Sequence, residues 1–304
     1  MTKKLVESWK KHRVSEKMRG VHILLTYRCI LECDHCFVWS SPDSTGTMTL
    51  SDIRKILDEA KDADIKTIYF EGGESFLYYP ILIQGVREAL DRGFRVGVTA
   101  SCYWATAVED AVVWLEPLKG ISGLELSGDL YHGNVEDMKY GIIAAKLLGI
   151  PVSIISIDRP GGPKEVEGVK VGYYELMYRG RAASKLAPDA KKKAWREFDE
   201  CPYEDLEEPE RVHIDPFGWV HVCQGITIGN INEKKLSEII AEYNPYAHPI
   251  IGPLIEGGPR RLVERFGLSC VDSYADGCHL CYEARLLLRD QFPDILAPDQ
   301  VYGV

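Results

Sequence analysis

Three cysteines, Cys29, Cys33 and Cys36, stand in the spacing Cys-x3-Cys-x2-Cys. They follow a short apolar run, Val21-His22-Ile23-Leu24-Leu25, that reads as a strand. A strand running straight into a cysteine loop gathers three thiolates at its C-terminal end. Three are one too few to close a four-iron cubane, so the fourth iron would keep an open coordination position. Zinc is the structural alternative. It prefers four protein ligands, commonly as two Cys-x2-Cys pairs, and only Cys33 and Cys36 form such a pair here. Disulfides fit poorly. The chain has nine cysteines, an odd number, and Met1-Thr2-Lys3-Lys4 leads into a charged segment without the apolar core of a secretory signal. Reduced cysteines of a cytoplasmic protein serve metals or catalysis more often than bridges.

Further residues with chemical potential sit at strand ends. Gly72-Gly73-Glu74 follows the apolar run Ile65 to Phe70. Two glycines let a backbone pass close to a ligand, and the glutamate could accept hydrogen bonds from an ammonium group. Ser101-Cys102 and Ser127-Gly128-Asp129, with Tyr131-His132 behind it, end two later strands. The last third holds five more cysteines, Cys201, Cys223, Cys270, Cys278 and Cys281. Asp215-Pro216-Phe217-Gly218 is a turn sequence flanked by alternating apolar residues. It predicts a hairpin with Gly218 in the turn and Cys223 ending the returning strand.

The elements that must position these residues alternate. Thr49 is a candidate cap with Asp52 three residues on, ahead of the stripe Ile53, Ile56, Leu57 and Ala60. Helices are predicted over 79–91 and 105–118, and from a cap at Asn134 to Gly149, with Met138, Ile142 and Ala145 inward. Strands are predicted over 95–101, 123–127, 151–157 and 171–177. Such alternation implies right-handed crossovers and a parallel sheet, with functional loops at the C-terminal strand ends. The run Lys191–Lys193 reads as a solvated helix face or linker.

This order of elements and motifs resembles the radical S-adenosylmethionine (radical SAM) enzymes. The pattern of that family has an aromatic residue just before its third cysteine; here it is His35. The resemblance implies an α/β fold: a partial (β/α)6 TIM-like barrel over residues 1–190, opened by a helix over 1–18. A small C-terminal hairpin-plus-helix iron–sulfur domain over 191–304 completes it. Cys29, Cys33 and Cys36 would hold a [4Fe–4S] cluster. Gly72, Gly73 and Glu74 match the segment that binds the methionine amino group of S-adenosylmethionine, and Ser127 and Asp129 a segment near that cofactor. Cys102 is a candidate hydrogen-atom donor at the barrel mouth; the alternative is a small buried hydrophobe. Gly218-x4-Cys223, with Cys201 before it and Cys278-x2-Cys281 after it, resembles the auxiliary-cluster region called twitch. It is shorter than SPASM, whose seven cysteines exceed those available here. Cys270 is then the spare, or a replacement for Cys201; a zinc tetrahedron is the structural alternative for this second site. Arg179-Gly180-Arg181-Ala182 and Ile228-Gly229-Asn230-Ile231 resemble segments that flank the hairpin in the same proteins.

The implied reaction is reductive cleavage of S-adenosylmethionine to a 5′-deoxyadenosyl radical that takes hydrogen from substrate. A one-electron reductant such as flavodoxin or ferredoxin is expected, with a second auxiliary iron–sulfur cluster handling the substrate or its electron. The family modifies ribosomal peptides, small sugars and cofactor precursors, so a peptide and a small metabolite are both expected substrates. No leader-binding domain is expected before residue 20. The contrasting class is a non-catalytic iron–sulfur or zinc scaffold or electron carrier, which would not need Gly72-Gly73-Glu74. The 304 residues carry a net charge of −10, which argues against nucleic acid as partner. No stretch approaches the roughly 20 apolar residues of a membrane helix, so a cytoplasmic protein is expected.

Overall fold

The computed structural model describes residues 18–129, 131–132, 138–157 and 162–304. Five parallel strands follow the expected order: β1 (Gly20–Leu24), β2 (Thr67–Glu71), β3 (Arg95–Ala100), β4 (Gly123–Ser127) and β5 (Val152–Ile157). A hairpin of β6 (Glu165–Val166) and β7 (Val169–Tyr174) comes next, and β7 continues the parallel sheet beside β5. Helices α1 (Leu50–Asp62), α2 (Tyr79–Asp91), α3 (Val108–Leu115) and α4 (Lys139–Leu147) fill the crossovers.

Local chemistry explains most of these bounds. Thr49 and Asp52 cap α1 reciprocally: the Thr49 hydroxyl accepts from the Asp52 amide, and the Asp52 carboxylate from the Thr49 amide at 2.8 Å. Ile53, Ile56, Leu57 and Ala60 are the buried face of α1. Helix α3 starts later than its predicted Ala105, because Ala105 is spent on a turn in which its amide donates to the Cys102 carbonyl. Trp104, in that turn, is buried and stacked on Phe76 at 4.9 Å between ring centroids. The predicted helix over 1–18 and the cap at Asn134 fall on residues outside those described, Met18 aside.

Alternation along the strands sorts the side chains. Ile68 and Phe70 of β2 and Leu124 and Leu126 of β4 are buried in the apolar layer of the core, while Tyr69, Glu71, Glu125 and Ser127 point to the other face. The interior of the barrel is therefore polar.

After α5 (Arg181–Lys185), the strand β8 (Lys193–Ala194) pairs with β12 (Ser273–Tyr274). The run Lys191–Lys193 is exposed, as a solvated linker, but it is not helical. Strands β9 (Arg211–Ile214), β10 (Trp219–Cys223) and β11 (Ile226–Asn230) form an antiparallel meander with Gly218 in the first turn, as predicted. This meander is not a separate sheet. β9 lies parallel to β1, with His213 opposite His22, so ten strands run in the order β11-β10-β9-β1-β2-β3-β4-β5-β7-β6. The expected boundary at residue 190 divides the cysteines but not the sheet. Helices α6 (Leu236–Glu242), α7 (Ile251–Phe266), α8 (Gly277–Leu288) and α9 (Asp299–Tyr302) complete the described chain.

Candidate active site

Cys29, Cys33 and Cys36 lie on the loop leaving β1. The Cys29 amide donates to the Ser41 carbonyl and the Cys36 amide to the Cys33 carbonyl, each at 3.0 Å. Backbone amides also reach the sulfurs: Leu31 N to Cys29 Sγ at 3.4 Å and Ser40 N to Cys36 Sγ at 3.3 Å. The buried Arg181 clamps the loop, donating to the carbonyls of Cys33 at 2.8 Å and Ser40 at 2.7 Å. Burial pushes the Cys29 thiol up to about 11 and the Cys33 thiol up to about 12, and Cys36 adds to both. Such thiols stay protonated at neutral pH unless a metal takes the proton's place.

Gly72 and Gly73 dock on the chain that enters this loop. A Cβ on Gly72 would lie 2.5 Å from the Thr26 carbonyl oxygen, and one on Gly73 2.3 Å from that of Arg28. The close approach these glycines allow is thus to the cysteine loop's own backbone, where Gly73 N donates to Thr26 O and Glu74 N to Arg28 O. Glu74 is buried. Its Oε1 accepts from Phe76 N at 2.9 Å, and its Oε2 from Ser101 N at 2.8 Å and Ser101 Oγ at 2.6 Å. A carboxylate offers about four lone-pair positions, so one, on Oε1, is left for another donor. Tyr103 belongs to the same corner. Burial, Glu74 and Cys29 together push its hydroxyl up to about 12, yet its side chain stays 38% exposed.

Asp129 is fully engaged. Its Oδ1 accepts from Tyr131 N at 2.8 Å and His132 N at 3.1 Å and meets His132 Nδ1 at 2.9 Å; its Oδ2 accepts from Ile157 N at 3.3 Å. Oδ2 also faces His35 Nε2 at 3.8 Å, and the His35 ring packs against Tyr131 and His132 at 4.6 and 5.0 Å. Asp129 thus holds the imidazole of His132, whose ring packs on that of His35 beside Cys36. Ser127 stands half-buried on the interior side of β4, opposite Ile155. Cys102 is turned the other way. A Cβ on Gly141 of α4 would lie 3.3 Å from its Sγ and 3.6 Å from Leu126. The thiol packs toward α4 in the helix layer, as a small hydrophobe would.

Cys201, Cys223, Cys278 and Cys281 line one cavity together with Arg179, Glu204 and Arg285. The four sulfurs come from three places. Cys201 follows the short turn Trp195–Glu197, Cys223 ends β10, and Cys278 and Cys281 sit on the first turns of α8. Asp276 caps α8, accepting from His279 N at 2.7 Å. Cys270 lies instead in a different groove with Leu268, Tyr274 and Leu286. Arg179 donates to Cys223 Sγ at 3.1 Å, and its guanidinium lies 5.1 Å from the centroid of the Phe37 ring, next to Cys36. Gly180 lies against Phe37 so closely that a Cβ would come within 2.6 Å of its Cα. Arg179, Gly180 and Arg181 therefore touch both cysteine sites in three consecutive residues.

The sequence reading assigned no role to these arginines. Arg285 had a signal, since Cys278, Cys281 and Arg285 share one helical face at i, i+3 and i+7. It also missed a triad inside the barrel. Glu71 meets His22 Nδ1 at 3.0 Å and His213 Nδ1 at 2.6 Å. Burial would raise the Glu71 pKa, but the two imidazoles more than offset that and hold it well below the usual carboxylate range.

Residues 23–167 match the Radical SAM superfamily. The "Putative peptide biosynthesis protein YydG" of Bacillus subtilis (strain 168) is 31% identical over 117 residues, 38% of this chain and 37% of that protein. The "Tungsten-containing aldehyde ferredoxin oxidoreductase cofactor-modifying protein" of Pyrococcus furiosus is 35% identical over 85 residues, 28% of this chain and 24% of that protein. The crystal structure of Streptococcus suis SuiB bound to precursor peptide SuiA aligns at a TM-score of 0.49 and 13% identity, over 86% of this chain and 76% of that one. The matches span well under half the length of the two curated relatives. The matched segment holds the cysteine loop that leaves β1, the Gly72-Gly73-Glu74 that follows β2, and strands β2 to β5, and over it the chain matches the Radical SAM superfamily.

Proposed function

We propose that this chain is a radical SAM enzyme that modifies a peptide and carries a second, auxiliary [4Fe–4S] cluster. The observation that carries the reading is the docking of Gly72-Gly73-Glu74 onto the backbone of the three-cysteine loop. A [4Fe–4S] cluster held by these cysteines, with S-adenosylmethionine bound, would supply radical chemistry able to take a hydrogen atom from substrate. The protein's share is placement. Cys29, Cys33 and Cys36 hold the cluster, and Arg181 fixes the carbonyls of their loop. Glu74 keeps one acceptor position for the cofactor's ammonium group, with Gly72 and Gly73 setting its distance from the cysteines. Ser127 lines the barrel interior near the cofactor, and Asp129 acts by holding His132 against His35.

The sulfur spacing supports clusters over zinc at both sites. Among the described residues, the groups of three or more His, Cys, Asp or Glu ligand atoms within 4.8 Å of one another contain no cysteine. Zinc bonds of 2.3 Å would hold thiolates about 3.8 Å apart. For the second site, the ligand set that fits is Cys201, Cys223, Cys278 and Cys281, with residues 191–304 and Arg179 forming its surroundings. An electron carrier would have no use for Glu74 and its spare acceptor.

The name of the B. subtilis relative favours a peptide substrate; that of the P. furiosus relative keeps a small-molecule substrate as the second reading. A flavodoxin or ferredoxin in the cytoplasm would supply the electron. The net charge of −10 disfavours nucleic acid as a partner, and no described helix is long and apolar enough to cross a membrane. The test is anaerobic reconstitution followed by dithionite and S-adenosylmethionine. Two cubanes predict about eight irons per chain and release of 5′-deoxyadenosine. A fully loaded protein that releases none would overturn the reading.

A further inference from the structure

Arg285 is 2% exposed, yet its hydrogen-bond partners are neutral: the Gln224 carbonyl at 2.8 Å, the Tyr302 hydroxyl at 3.3 Å and the Cys281 carbonyl at 3.4 Å. The Tyr282 and Tyr302 rings lie 5.8 and 5.6 Å from its guanidinium carbon. None of the ion pairs among the described residues gives it a carboxylate. A buried guanidinium without an anion is costly. Arg285 lines the four-cysteine cavity, which is where that anion would sit. Arg179 lines the same cavity. It reaches Cys223 Sγ at 3.1 Å, and its buried Nε has no partner. Its ion-pair partner among the described residues, Glu204, is 3.9 Å away and closer to Arg211 at 3.5 Å, and the Asp276 carboxylate that caps α8 lies within its field.

We infer that Arg285, seconded by Arg179, is the fixed countercharge of the auxiliary cluster and holds its reduction potential up. This rests on the proposed function, because it takes the cavity to hold a cluster. Four thiolates around a [4Fe–4S] core of charge +2 leave a net charge of −2, and reduction by one electron makes it more negative. Fixed positive charge stabilises the reduced form more than the oxidised one. Net charge, hydrogen bonds to sulfur and burial are among the levers that set cluster potentials, and low local dielectric strengthens all three. Both guanidiniums are permanently charged, so their own contribution is the same across the neutral range. A raised potential suits a site that takes an electron rather than one that gives it.

The test uses the full chain with Cys29, Cys33 and Cys36 replaced by alanine, so that the auxiliary site holds the remaining cluster. Its midpoint is read by electron paramagnetic resonance during an anaerobic redox titration. Arg285→Met is expected to lower the ratio of reduced to oxidised cluster about tenfold at the parent's midpoint, which for one electron is 59 mV. Arg179→Met should act in the same direction but less, since Glu204 already offsets part of its charge. Arg285→Lys should stay close to the parent. An unchanged midpoint in Arg285→Met, or an equal fall in Arg285→Lys, overturns the inference. If the methionine variants lose iron, Arg285→Gln and Arg179→Gln, which keep an N–H donor without the charge, take their place. Iron lost from the neutral variants and kept by lysine sustains the countercharge role; iron lost from the lysine variants as well overturns it. Zinc, or no metal, in the parent protein would instead overturn the proposed function.

Discussion

The two cysteine sites are built in opposite ways. The first takes its three sulfurs from a single loop, held by its own backbone and by the Arg181 clamp on two carbonyls. The second gathers four sulfurs from a turn, a strand end and a helix. Their charges differ as well. Buried carboxylates stand beside the first: Glu74 keeps one acceptor position spare, and Asp129 faces His35. Buried guanidiniums face the second, and Arg285 has no acid partner among the described residues. The arrangement teaches a division of labour. A loop with an adjacent carboxylate suits a cluster that binds a cationic cofactor and gives up an electron. A closed cavity with fixed positive charge suits one that stores an electron.

The largest expected effect tests whether the sites are independent. Replacing Cys29, Cys33 and Cys36 together with alanine should remove about four irons per chain and abolish 5′-deoxyadenosine formation, while the second site stays loaded. Loss of all iron would show that the sites assemble as one unit and erase the contrast. The reciprocal change, Cys278→Ala with Cys281→Ala, should leave S-adenosylmethionine cleavage measurable while product formation stops. Metal binding and folding are linked, and the cavity joins three separate elements, so circular dichroism must accompany the assay. A folded double variant that makes full product would confine the mechanism to the first site.

A smaller effect is expected at Glu74. Glu74→Gln keeps the side chain's shape but removes the charge and, with its oxygen on Ser101, sets an NH2 where Oε1 accepts from Phe76 N and from the cofactor. The difference is about 1–1.5 kcal/mol, which calorimetry should read as roughly tenfold weaker S-adenosylmethionine binding with both clusters kept. Unchanged affinity would remove Glu74 from the cofactor site and leave it as a bracket between Phe76 and Ser101.

These contrasts were unevenly legible in the sequence. The cysteine loop, the Gly-Gly-Glu segment and the strand order could be read directly because their information is local: a spacing, a cap at Thr49, a stripe from Ile53 to Ala60. The hairpin could be read for the same reason, since Asp215 and Gly218 fix a turn by themselves. Its destination could not be read. That β9 pairs with β1 is a long-range fact, and it joins a presumed second domain to the first sheet. Cys102 shows the limit of reading strand ends, because a residue past the last strand position can turn to either face. Its Sγ faces α4. The choice between Cys201 and Cys270 was equally closed to spacing. The fold places Cys201 in the cavity of Cys223, Cys278 and Cys281 and Cys270 in another groove, and the Arg260 amide on the kinked helix α7 holds the Phe198 carbonyl just before Cys201 at 2.9 Å. Arg285 was readable in principle, one helical face from two cysteines, but a lone arginine on a helix reads as a surface residue until its burial is known.

The smallest expected effect tests how rigidly the two regions are coupled. Tyr27, two residues before Cys29, is buried, and its hydroxyl donates to Asp215 Oδ2 at 2.9 Å. The other oxygen of Asp215 accepts from Phe217 N at 3.0 Å and Trp219 N at 2.9 Å, holding the turn that leads toward Cys223. One side-chain hydrogen bond thus ties the loop of the first site to the hairpin of the second. Tyr27→Phe removes it and leaves the buried Asp215 Oδ2 facing only the more distant His221 Nε2, at 3.5 Å, among the described residues. A hydrogen bond to a charged group contributes about 1.5–3 kcal/mol, so thermal unfolding should move down by several degrees. Iron content should hold, since no sulfur contact changes. If the variant instead loses metal from the second site alone, the hairpin depends on the first loop for its shape, and the two sites are one construction with two ends. If stability is untouched, the shared strand pairing of β9 on β1 carries the coupling by itself.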